Sequence, residues 1–127
     1  MKKVRLALLL ACALVSGCIH RGPRDVPPPE YALMAGTWES PVTQDRHTIR
    51  WYQGRFYVTQ VESSGGEKYA LSSVQWKDGI LRWGYHIPQQ RYVMMLRTRA
   101  VTRRTLECYW SDSEGHTRDE ILRRVDQ

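Results

Sequence analysis

The sequence predicts an all-β domain: an antiparallel up-and-down meander of about eight short strands, closed or nearly closed into a small barrel. Three observations carry this. From Ala35 onward the chain is rich in Trp, Tyr, Val, Ile and Thr, residues that fit a pleated, half-buried surface. Its apolar runs are short and separated by glycine turns such as Gln53-Gly54 and Asp78-Gly79, where glycine supplies a positive φ. Within the runs apolar side chains alternate, as in Leu81, Trp83, Tyr85 and Ile87 against Arg82, Gly84 and His86. No long stripe with a 3.6-residue period competes with this pattern.

The strands expected are Gly36–Pro41, His47–Tyr52, Arg55–Val61, Tyr69–Trp76, Ile80–Ile87, Tyr92–Arg99, Thr105–Trp110 and His116–Arg124. Further inward rows are Tyr92, Met94 and Leu96; Leu106, Cys108 and Trp110; Val74 and Trp76; Phe56 and Val58; Ile49 and Trp51. Ser63-Ser64-Gly65-Gly66 is a looser loop, Pro88 ends the fifth strand, and Ser111 to Gly115 turns the seventh into the eighth. The last segment, DEILRRV, fits a strand, with a short helix as its alternative. Eight hairpin-linked strands leave two sheet edges, and closing the sheet into a barrel removes both. A bore of eight strands is one that side chains fill or that holds one small ligand.

Ahead of this domain lie two further segments. Lys2, Lys3 and Arg5 precede an unbroken apolar run of ten residues, Leu6 to Val15. That run is well short of the ~20 residues a spanning helix needs, and it suits the h-region of an export signal. Residues 1–17 are therefore expected to be a removable signal peptide. The next stretch, 18–34, contains Pro27-Pro28-Pro29 and reads as a semi-rigid tether of polyproline II character, with helix disfavoured. The domain proper then spans 35–127.

Small residues lead into a cysteine at Val15-Ser16-Gly17-Cys18. This tetrapeptide resembles the bacterial lipobox. The resemblance implies that the Cys18 thiol takes a diacylglycerol, that the signal is cut before it, and that the new amino terminus is acylated. One acyl chain gives marginal binding, whereas several anchor durably. An ordinary secretory signal cut near Ala13 or Gly17 is the competing reading, and it would leave Cys18 incidental. Residue 19 is Ile rather than the Asp that in such lipoproteins resembles an inner-membrane retention mark. The implied place is the cell envelope, on the outer membrane facing the periplasm in a Gram-negative source.

Three of the 19 basic residues lie in the signal, so the mature chain carries 16 against 13 acidic residues, a net +3. That balance does not call for nucleic acid, and export argues against it. Once Cys12 leaves with the signal and Cys18 takes lipid, only Cys108 remains. No internal disulfide can form, so the core alone must hold the fold.

Gly36-Thr37-Trp38 in the first strand and Leu122-Arg123-Arg124-Val125 in the last resemble the lipocalin and wider calycin arrangement. There a Gly-x-Trp opens the first strand, and an arginine from the end of the last strand packs across the indole at the closed end. The resemblance implies a structural pair of Trp38 with Arg123 or Arg124, and a guanidinium on an indole is a favourable plug. The domain departs from lipocalins in its length of about 90 residues, its lack of a second lipocalin turn and its lack of a helix before the last strand. Its spacing, LRWGYHIP and LECYWSDSEG, is similar to that of small bacterial lipoproteins of this barrel type.

Reactive chemistry is sparse. His20, His47, His86 and His116 stand at no metal-ligand spacing and read as surface or strand-end residues, so no metal and no cofactor is expected. Cys108 alternates with Leu106 and Trp110 and reads as a buried small hydrophobe rather than a nucleophile. Asp112, Glu114, Asp119 and Glu120 read as a turn-solvating group. The strip Arg97, Arg99, Arg103 and Arg104 reads as a solvated outer face, with contact to anionic headgroups as its alternative. Five Trp and seven Tyr exceed what structural capping needs. Tyr57, Trp83, Tyr85 and Tyr92 are the residues expected to line a ligand mouth.

The function expected is thus a monomeric, membrane-anchored binding module rather than an enzyme, holding a small apolar or amphiphilic ligand. Its alternative is an envelope structural or protein-interaction module with a filled barrel and no ligand. A small hydrolase or inhibitor ranks third.

Overall fold

A computed structural model describes residues 26–126; the signal, Cys18 and His20 lie outside them. Eight strands follow one another: β1 Gly36–Glu39, β2 Arg46–Tyr52, β3 Arg55–Glu62, β4 Ala70–Lys77, β5 Ile80–His86, β6 Val93–Val101, β7 Thr105–Asp112 and β8 Thr117–Arg124. They form one antiparallel sheet in the order β3-β2-β1-β8-β7-β6-β5-β4, curled into a nearly closed barrel consistent with a calycin-like fold. All eight expected strands are present, with ends moved by a few residues. β1 stops at Glu39 because Gln44 N–H donates to Ser40 O at 2.8 Å and starts a turn. The DEILRRV segment is strand through Arg124.

Sequence alternation becomes an inside and an outside. Trp38, Ile49, Phe56, Val58, Leu81, Trp83, Leu96, Leu106, Cys108 and Leu122 are all buried in the bore. Gln53 (φ 50°) with Gly54 (φ 89°), and Asp78 (φ 53°) with Gly79 (φ 76°), make the two-residue hairpins. Two successive positive φ values match the twist of the flanking strands. Register shifts at Thr48/Ile49, Leu71/Ser73 and Thr98/Ala100 bend the strands around the bore.

Closure differs at the two seams. β1 meets β8 through Trp38↔Arg124 and Glu39↔Arg123. β3 and β4 pair only near their connecting loop, where Tyr69 N–H donates to Val61 O at 2.8 Å. Farther along, rings bridge that gap: Phe56 lies 4.9 Å from Trp76 and 4.7 Å from Trp51, and Tyr31 lies 5.2 Å from Trp76, all edge-on. Edge-on rings at such distances are a favoured geometry.

One end of the barrel is plugged. Pro29–Met34, expected as extended tether, is instead a 3-10 helix with Met34 buried. Proline suits the first turn of a helix, where its missing N–H costs nothing, so the proline run does not exclude helix there. Three carbonyls at the end of this helix would otherwise be orphaned. Trp38 Nε1 donates to Met34 O at 2.9 Å, Arg124 Nη1 donates to Ala35 O at 3.0 Å, and Arg124 Nη2 donates to Leu33 O. The Arg124 guanidinium also lies 4.3 Å from the Trp38 ring centre. The barrel-closing arginine is therefore Arg124. Arg123 is exposed on the outer face, because β8 places Arg118, Glu120, Leu122 and Arg124 inward and the residues between them outward.

Candidate functional site

The end opposite the plug, where the ligand mouth is expected, is formed by the loops 40–45, 63–69, 87–92 and 113–116. The four aromatic residues expected there do not converge. Tyr57 sits between the inward-facing Phe56 and Val58 and so faces out, with the Arg55 guanidinium 4.2 Å over its ring. Tyr92 precedes β6 and packs partly buried against the core. Trp83 and Tyr85 do share one inward row of β5, but both are buried, at 0% and 3% exposure.

Between those two rings lies His47, 1% exposed, edge-on to Trp83 at 5.7 Å and to Tyr85 at 5.5 Å. Trp83 Nε1 donates to His47 Nδ1 at 3.1 Å. An indole nitrogen can only donate, so Nδ1 is unprotonated and the neutral ring carries its proton on Nε2. Burial pulls the His47 pKa down to about 3. This corrects the reading of His47 as a surface or strand-end residue. The phase of Ile49 and Trp51, continued two residues back along β2, places position 47 inside.

Three more polar residues are buried around it: Ser40, Asp45 and Glu120. Ser40 Oγ donates to Glu120 Oε1 and accepts from the Val42 and Thr43 N–H groups at 3.2 Å each. Tyr69 OH reaches Asp45 Oδ1 at 3.5 Å, and the Tyr69 and Tyr85 rings stack nearly parallel. Burial raises the Asp45 pKa, against hydrogen bonds from Thr43 and Tyr69, and the Glu120 charge adds to the rise. Burial, reinforced by Asp45 and Glu120, likewise raises the Tyr85 phenol. Arg118 lies 3.9 Å over the Trp110 ring, with Nη2 3.7 Å from Glu120 Oε2. Glu120 is thus an interior group rather than a turn-solvating one. Asp112 does serve its turn: its Oδ1 accepts the Glu114 and His116 N–H groups at 3.0 and 2.9 Å.

This cluster has the residue types of a hydrolase without the contacts of one. The Ser40 hydroxyl bonds a carboxylate, and the His47 nitrogen through which an acid would orient the ring as a base is taken by Trp83. Both residues are 1% exposed, out of a substrate's reach. Burial also raises the Cys108 thiol pKa, with Glu120 adding to it, so the reactive thiolate is suppressed. Among the described residues, no three His, Cys, Asp or Glu side chains group as a metal site. Most of these buried groups position one another through hydrogen bonds, whereas Arg118 Nε is buried without a hydrogen-bond partner.

The outer wall is different. Strand register aligns Gln75, Arg82, Arg97, Tyr109 and Asp119 in one row across β4 to β8. Arg82 and Arg97 are direct cross-strand neighbours, an arrangement of like charges that costs stability. Arg97 lies 4.5 Å over the Tyr109 ring, and neither Arg82 nor Arg97 has a carboxylate partner among the described residues. Met95, 43% exposed, adjoins them, and shallow depressions flank the Arg97–Tyr109 pair on both sides. Arg99 belongs to the same wall, bound to Asp119 at 2.6 Å. Arg103 and Arg104 lie apart, in the β6–β7 turn at the plugged end. The chain matches no family model, no curated protein and no solved structure.

Proposed function

We propose that this chain is a lipid-anchored envelope lipoprotein whose filled, lipocalin-like barrel works through its outer surface as a protein-interaction module. The observation that carries the reading is the filled bore: Trp38, Phe56, Trp83 and Leu106 occupy it at 0–1% exposure. A small apolar ligand in the bore would need the volume these side chains hold, and protein cores have little to spare. The Arg82, Met95, Arg97 and Tyr109 wall offers the residue types that dominate protein interfaces. Retaining two facing arginines against their repulsion is understandable where a partner neutralises them.

The anchor rests on the sequence Val15-Ser16-Gly17-Cys18. In a Gram-negative source, the place that goes with it is the periplasmic face of the outer membrane. Cys18→Ser is expected to move the protein from the membrane fraction to the soluble fraction and to abolish lipid labelling. A mutant that stays membrane-bound and labelled overturns the anchor.

Native mass spectrometry of the protein purified from its own envelope tests the module. A stoichiometric protein partner, lost on Arg97→Glu, is the expected result. A co-purifying small molecule that survives Arg97→Glu, or a bare monomer, overturns the reading.

A further inference from the structure

We infer that the plugged end of the barrel is a docking surface for the anionic phospholipid headgroups of the membrane that holds the anchor. An open cleft there is lined by Arg103, Arg104, Thr105, Arg123 and Arg124, with no carboxylate in the lining. Of the acids nearby, Asp126 lies 3.5 Å from Arg124, the one arginine of the cleft already committed to the plug, and Glu39 binds Arg46 at 3.0 Å. Among the described residues, the guanidiniums of Arg103, Arg104 and Arg123 have neither an ion-pair nor a hydrogen-bond partner. Arg124 is committed to the plug.

The turn that presents Arg103 and Arg104 is held in place. Arg124 Nε donates to Arg103 O at 2.7 Å, and Arg124 N–H donates to Arg104 O at 2.9 Å. Thr102 Oγ1 accepts from Thr105 N–H at 3.0 Å and lies 2.7 Å from Thr105 Oγ1. Arginines on a fixed turn lose little freedom when they meet phosphate, and a guanidinium fork suits phosphate oxygens.

The chain also enters at this end, because the Leu33 and Ala35 carbonyls are bound by Arg124 itself. Between Cys18 and the 3-10 helix there are roughly ten residues, a span of ~35 Å when extended. An acylated Cys18 therefore keeps the arginine cleft within reach of the bilayer surface, where basic residues are attracted to anionic headgroups. Both contacts pull on the same end, which leaves the opposite end facing away from the lipid. This orientation rests on the anchor proposed above, whereas the cleft's own affinity does not.

The test uses an unacylated chain beginning at Ile19. It keeps the 3-10 helix, all eight strands and the buried core, which lie between Pro29 and Arg124. Co-sedimentation is measured with phosphatidylcholine vesicles and with vesicles containing about a third phosphatidylglycerol, a composition whose attraction for basic residues is set by its charge. Binding is expected only to the anionic vesicles. It should fall at least ~10-fold in Arg103→Glu/Arg104→Glu and less than ~2-fold in Lys68→Glu/Arg91→Glu, which makes the same charge change at the opposite end. Circular dichroism confirms that both variants are folded. Equal losses in the two variants, undiminished binding in the first, or no preference for anionic vesicles each overturn the inference. So does release from the vesicles by millimolar inorganic phosphate, which would mark a free-anion site. Because the chain lacks the acylated cysteine, these outcomes are separate from the fate of Cys18→Ser.

Discussion

Trp38→Ala is expected to cost about 3–5 kcal/mol, the range for removing a buried tryptophan, out of the ~5–15 kcal/mol that holds a small domain together. The ring is 0% exposed, supports the Arg124 guanidinium at 4.3 Å and caps Met34 O through Nε1. Its loss opens a cavity, leaves a carbonyl unsatisfied and removes the platform for an arginine whose side chain holds three more. For a domain of this size the melting temperature should drop by at least about 12 °C. Urea unfolding gives the free energy directly. Arg124→Ala should be severely destabilising for the same reasons, whereas the outward-facing Arg123→Ala should stay within about 0.5 kcal/mol of the parent. Equal costs at 123 and 124 would show that the closing pair is misassigned.

The second large effect is a loss of stability in mild acid. A histidine in the unfolded chain titrates near 6.5, while His47 in the barrel is held to about 3 by burial. Between those values the unfolded chain binds a proton that the folded one refuses, so stability falls as pH falls. Above pH 6.5 the contribution is constant; below it about 1.4 kcal/mol is lost per pH unit, or about 2 kcal/mol by pH 5. Asp45 acts with the opposite sign. Its raised pKa means that the folded state binds its proton first, so acidification through that pKa restores part of the loss. The His47 slope is therefore cleanest at the upper end of the window, away from the carboxylates. Urea titrations at pH 7.5, 6 and 5 on the parent and on His47→Gln measure it. The parent should lose about 2 kcal/mol more than the glutamine variant over that range. Identical slopes would mean that His47 titrates normally in the fold.

The strands were readable because alternation and turn chemistry point the same way at every hairpin. Gln53-Gly54 and Asp78-Gly79 mark the reversals, and the Leu81, Trp83, Tyr85 row declares its face. The choice between Arg123 and Arg124 was also within reach, since the apolar Leu122 and position 124 share a face of β8. The same alternation argues against the expectation of Tyr57 at the mouth, because Phe56 and Val58 take the inner positions on either side. The interior polar group was harder to read. His47, Asp45, Ser40 and Glu120 carry polar side chains that composition assigns to the surface, and only strand phase brings the histidine and the glutamate inside. Ser40 and Asp45 lie in a loop, where no period applies. The filling of the bore depends on how side-chain volumes add across eight strands, which no local pattern encodes.

One consequence of the β1–β8 seam concerns the order of events during folding. Every other strand pairing joins sequence neighbours, whereas Trp38 and Arg124 meet only when the two ends of the domain come together. Closing so long a loop carries the largest entropic cost of any step in the barrel. The meander can form by successive hairpin addition, and the ring then shuts last, clasped by one indole and one guanidinium. Interactions that form after the rate-limiting barrier govern how fast a protein comes apart rather than how fast it assembles. A clasp that closes after that barrier sets the lifetime of the folded barrel, so Arg124→Ala is expected to raise the unfolding rate and leave the refolding rate little changed, as stopped-flow chevrons would show.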